Sequence, residues 1–181
     1  MPHLANAFRY FNDSLIDELA LLKPTSLLYV GWRHDTNPWW KNNFVDRLGI
    51  VKVGVIDIFE SNYKDAKAHL PYASVIHGDV REIEKHVFKG EYDIIYWDHG
   101  PEHVSAHDLI ECTPRLYDHA GKALVYSCPW GYWPQGPEDG NSNEVHYEVP
   151  DVELERLGMK VIKMGTSGPG CNGELVAWWT K

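Results

Sequence analysis

The run Val51–Ile58 is β-branched and nearly continuous, the mark of a strand covered on both faces rather than on one. Such a strand needs helices above and below it, and the rest of the chain has the patterns to supply them. Phe8, Phe11, Leu15, Leu19 and Leu22 fall at helical spacing within 5–22, and Pro24 stops the pattern. Ser26–Val30 is a short apolar strand ended by Gly31. Helices are predicted over 38–48, where Pro38 suits a first turn, over 61–69 and over 80–88. Strands are predicted at 73–77, Tyr92–Trp97 and 122–127. Pro101 is expected to open a helix reaching about Tyr117, and Pro150 one that stops at Gly158. Two closing strands, 159–164 and 174–179, flank Gly165–Gly173. Strands alternating with helices predict an α/β fold: a doubly wound, mainly parallel sheet with helices on both faces and an antiparallel last strand. The stretch 128–149, rich in Gly, Pro, Asn and aromatics, reads as an active-site loop or lid.

A chain of 181 residues is expected to form one domain, 1–181, that buries roughly 70% of its unfolded surface. Within it, 1–24 carries the N-terminal helix. A formal charge of −9 disfavours nucleic acid as a partner, because phosphate backbones need a basic face. No apolar run approaches the ~20 residues that span a bilayer. Met1-Pro-His-Leu-Ala-Asn shows neither the basic flank nor the apolar core of a secretory signal. Cys112, Cys128 and Cys171 are well separated and odd in number, which suits a reducing compartment and predicts a cytoplasmic protein.

In open parallel sheets, ligands bind beyond the carboxyl ends of the strands, near the point where strand order reverses. That directs attention to Gly31–Trp40, Asp57–Glu60, His77–Asp79, Trp97–His103 and Ser127–His146. A carboxylate ending the second strand can hold ribose hydroxyls. Asp57 is the first candidate and Glu60 the second, with a helix N-terminal acid as the alternative reading of either. Asp79 is suited to accept from an adenine amino group or to cap the helix that follows.

The pieces Leu27-Leu-Tyr-Val-Gly31, Gly54-Val-Ile-Asp57, Gly78-Asp79, Tyr92-Asp-Ile-Ile-Tyr-Trp97 and Gly121-Lys-Ala-Leu-Val, in this order and spacing, resemble the class I S-adenosylmethionine-dependent methyltransferases. The resemblance implies a Rossmann-like, seven-stranded sheet. It also implies that S-adenosylmethionine, or S-adenosylhomocysteine after transfer, lies across the first two strand ends. Candidate cofactor contacts are Gly31, Trp32, Arg33, Asp57, Ile58, Glu60, Asp79, Val80 and Trp97. The chain departs from the family where Tyr29 replaces the usual acid and Gly31-Trp-Arg-His-Asp-Thr keeps one glycine of three. Glycines let backbone approach a ligand closely, so Trp32 and Arg33 must point away from it or touch it.

A second likeness is local. His99-Gly-Pro-Glu102-His103-Val, then Pro129-Trp-Gly and Asn141-Ser-Asn-Glu-Val-His146, resemble the "IEHL…PNG…NP…H" pattern of a methyltransferase subset that includes sugar- and glycan-associated enzymes. Related metal-dependent methyltransferases hold a divalent ion on ExxEH. By position this implies His99, Glu102, His103 and His146 as a metal set, suited to Zn²⁺, Mn²⁺ or Fe²⁺. The metal would lower the pKa of an acceptor hydroxyl; without one, His99 or His103 is the expected general base, and Glu102 completes the catalytic group. Trp130, Tyr132, Trp133 and His146 are expected to wall a small-molecule or glycan acceptor. With no large acceptor domain read in the chain, either a homo-oligomer or the 128–149 loop is expected to complete the site. The reading is therefore a methyltransferase acting on oxygen or nitrogen. The competing readings are a non-methylating nucleoside-binding module and a metal-dependent hydrolase built on the same histidines.

Overall fold

The computed structural model describes residues 4–32, 41–131, 147–164 and 173–181. Helix α1 spans Leu4–Leu21, β1 Ser26–Val30, β2 Lys52–Asp57, α2 Glu60–His69, β3 Ser74–His77 and β4 Ile94–Asp98. They are followed by α3, Ala106–His119, then β5, Ala123–Pro129, α4, Asp151–Arg156, β6, Lys160–Met164, and β7, Glu174–Thr180. The strands form one seven-stranded sheet in the order β3-β2-β1-β4-β5-β7-β6. β1 pairs in parallel with both β2 and β4, so the strand order reverses at its end. β7 runs antiparallel between β5 and β6, as expected of the last strand.

Side-chain alternation divides the core. Leu28 and Val30 of β1 join Leu109, Cys112 and Leu116 of α3 on one face. Leu27 and Tyr29 join Leu15 and Leu19 of α1 and Ala66 of α2 on the other. Successive strand residues point to opposite faces, so a fully buried strand such as β1 is apolar throughout. This is the Rossmann-like doubly wound arrangement expected from the alternation of strands and helices and from the resemblance.

Three helical expectations need correction. Lys41–Asp46 is a π-helical turn within the expected 38–48 helix, whose first residues lie outside the described ones. Val80–Lys85 is 3₁₀ and broken at Glu82, not a regular helix over 80–88. Pro101 opens a single 3₁₀ turn, Pro101–His103. The chain then extends at Val104, and α3 starts afresh where the Ser105 side chain accepts from the Asp108 amide. The separate turn holds the Glu102–His103 pair apart from the helix, next to the end of β5.

Candidate functional site

Gly31 follows β1 with φ +85°, a conformation natural to glycine, and a Cβ there would stand 3.2 Å from the Asp98 carbonyl oxygen. Trp32 then turns its ring into the α1/α2 side of the core, 2% exposed, where its indole N–H donates to Asp65 Oδ2 at 2.6 Å. The bulky residue in the single-glycine turn is thereby removed from the strand ends. Its backbone stays: the Trp32 amide donates to Asp57 Oδ2 at 2.6 Å, the Phe59 amide to Oδ1 at 2.7 Å, and the Asn62 side chain to Oδ2 at 3.3 Å. Burial pushes the Asp57 carboxyl up, against these hydrogen bonds and the nearby His77. A carboxylate has about four lone-pair sites, so this network leaves room for about one further donor. Ile58 and Phe59 lie half exposed beside it.

The other expected cofactor contacts sit differently. Glu60 is exposed and bonded to Lys64, one turn along α2, which lowers its pKa. Asp79 accepts the Arg81 amide and grips the Arg81 guanidinium at 2.6 Å, so capping is the role seen. Against the upward pull of burial, Arg81 holds that carboxyl low. Val80 and Trp97 are core residues, and Trp97 meets Tyr126 edge to face. Arg33 lies outside the described residues.

At the ends of β4, β5 and β7 a second group forms. Asp98, Glu102 and Glu174 are each no more than 4% exposed. Glu102 Oε1 lies 3.7 Å from His99 Nδ1 and 3.8 Å from His103 Nε2, so the structure does bring His99, Glu102 and His103 together. The Tyr29 hydroxyl donates to Asp98 Oδ2 at 2.9 Å. Tyr29 on β1 thus reaches an acid at the end of β4. His99 has φ +47°, uncommon outside glycine, and its amide donates to the Ser127 carbonyl at 2.8 Å.

Burial alone would lower the His99 pKa, but Glu102, Asp98 and Glu174 outweigh it and raise it to about 10. Burial, with Asp98 and Glu102 adding to it and His99 opposing, raises Glu174 to about 7. Sequence reasoning missed Glu174 and passed over Asp98. The available signal was a lone acid opening an otherwise apolar strand, Glu174-Leu-Val-Ala-Trp-Trp.

Trp130 packs at the core margin, its amide donating to the Gly173 carbonyl, and the Tyr147 amide donates to the Glu102 carbonyl. Both ends of the expected lid are thus tied close to this group. Tyr132, Trp133 and His146 lie outside the described residues. Among the described residues no three His, Cys, Asp or Glu side chains are placed to hold a metal ion. Cys112 and Cys128 are buried, and burial pushes both thiols up, Cys112 to about 12. The described helices include none long and apolar enough to cross a membrane.

A Cβ on Gly100 would overlap the Trp97 indole nitrogen. Gly100→Ala is therefore expected to lose about 1–3 kcal/mol through overpacking and to displace the Pro101–His103 turn, read by urea denaturation.

No protein-family model matches the chain, and no curated protein matches it by sequence. Solved structures do. The magnesium protoporphyrin IX methyltransferase of Synechocystis PCC 6803 with bound SAH aligns at TM-score 0.57 and 15% identity, over 95% of this chain and 82% of that one. An O-methyltransferase family protein from Burkholderia thailandensis aligns at 0.58 and 10%, over 97% and 60%. The mitomycin 7-O-methyltransferase MmcR aligns at 0.57 and 10%, over 98% and 58%. The chain thus spans less than two thirds of the last two. At these identities the likeness establishes the fold alone.

Proposed function

We propose that this protein is an S-adenosylmethionine-dependent methyltransferase acting on an oxygen or nitrogen of a small molecule. The observation that carries the reading is the Gly31 turn at the end of β1, where the strand order reverses, locked through the Trp32 amide to Asp57 at the end of β2. Glycine at that turn keeps its own side-chain atoms from the strand ends, and Trp32 buries its ring on the α1/α2 side of the core. Gly31, Asp57 and the half-exposed Ile58 would hold the nucleoside. When bound, the cofactor supplies an electrophilic methyl group. The protein's part is to fix the acceptor in line with it and keep water out. Asp98 at the end of the adjacent strand β4, with Glu102 and His103 on the turn after it, would face the acceptor, with Trp130 as part of its wall.

The rival reading, a nucleoside-binding module without transfer, draws on Asp57, whose oxygens already serve three donors. Calorimetric titration with S-adenosylhomocysteine tests the donor site. The expected Kd is micromolar, about −8 kcal/mol. No heat, with no thermal shift at millimolar ligand, would refute the methyltransferase. Transfer of a labelled methyl group to any hydroxyl or amine acceptor then separates it from the module.

A further inference from the structure

Among the described residues, the group at the ends of β4, β5 and β7 carries more acid than its own bases balance. Asp98, Glu102 and Glu174 are all at least nine-tenths buried. Among the described residues neither oxygen of Glu102 takes a hydrogen bond, Oε1 standing 3.7 and 3.8 Å from the His99 and His103 imidazole nitrogens. Asp98 Oδ1 and Glu174 Oε2 likewise have no hydrogen-bond partner among the described residues. Buried acceptors left bare are costly, and buried carboxylates more so. His99 neutralises one of the three acids. His99 and His103, with side chains 29% and 28% exposed, form a rim above carboxylates that solvent scarcely touches.

We propose that this acidic box binds a cationic nitrogen, an ammonium, amidinium or guanidinium group, that serves as the recognition handle of the acceptor. Several N–H donors on one positive centre match several carboxylate oxygens without hydrogen bonds, and charge-assisted hydrogen bonds are the strong ones. A cationic nitrogen has no lone pair to attack a methyl group, so the handle is not the atom methylated. Specificity follows from the same chemistry. A neutral isostere leaves the carboxylates unpaired and is rejected. The inference rests on the methyltransferase reading only in calling the ligand an acceptor.

Methylammonium chloride is the simplest probe of the handle. So small a ligand binds no tighter than about millimolar, and a tenfold excess over Kd raises the melting midpoint by about 4 °C. The rise is expected in the full chain against sodium chloride at equal ionic strength, and not with methanol. Glu102→Gln and Glu174→Gln, which keep shape and remove charge, should each more than halve it. Equal rises in sodium chloride, or an undiminished rise in both variants, would overturn the proposal. So would a response absent from the wild type and present only in Arg33→Ala, Arg33 being the sole Lys or Arg in 33–40, 132–146 and 165–172. In that case the chain supplies the countercharge itself. A larger rise with micromolar Mn²⁺ or Zn²⁺, blocked by methylammonium, would assign the box to a metal and overturn it too. Failure of S-adenosylhomocysteine to bind bears on the methyltransferase reading and leaves the methylammonium response untouched.

Discussion

Glu174→Gln is expected to stabilise the protein at pH 8 and to change little at pH 5. Burial raises the Glu174 carboxyl from 4.5 to about 7, so the folded state holds its proton more tightly than the unfolded chain. A group raised in this way contributes stability that is complete below 4.5 and lost as pH climbs through 7. The full displacement corresponds to about 3 kcal/mol. Glutamine cannot ionise and keeps that stability at every pH. Urea denaturation of both proteins at pH 5, 6, 7 and 8 reads the difference. Parallel curves would show that the Glu174 carboxyl is not held up by its surroundings. The slope remaining above pH 7 belongs to His99, raised in the same sense from 6.5 to about 10.

Asp57→Ala strikes the other half of the site. It strips the acceptor from the Trp32 and Phe59 amides and the Asn62 side chain together. An orphaned buried donor costs about 1–3 kcal/mol, so the variant should lose about 3 kcal/mol of stability, by urea denaturation. It should also lose at least tenfold in S-adenosylhomocysteine affinity in the calorimeter at a temperature where it stays folded. Unchanged affinity in the folded variant would make Asp57 a fastener of the loop with no part in binding. Asp57→Asn keeps one amide acceptor and is expected to fall between the two.

How much of this was legible beforehand follows from the range of the forces. The strands were readable because a strand buried on both faces must be apolar throughout, as Leu27–Val30 and Val53–Ile56 are. The Pro101 helix was misplaced because proline fits any first turn, whereas Ser105 has the side chain that caps α3. Trp32 left no local trace of its direction, since its partner Asp65 sits on α2 and only packing brings them together. Glu174 was invisible for a related reason. The β5–β7 pairing that sets it opposite Pro129 joins residues far apart in the chain. The grouping of His99, Glu102 and His103, by contrast, lies within five successive residues, and a tight turn sufficed to gather it.

The central claim is that the methyl donor sits on the Gly31–Asp57 side of the site, apart from the acidic box. Amide hydrogen exchange with and without S-adenosylhomocysteine tests it most directly. The account predicts slowed exchange at 31–32 and 58–62, with 99–103 little changed. Binding that leaves those amides unprotected, or protects 99–103 alone, would contradict it.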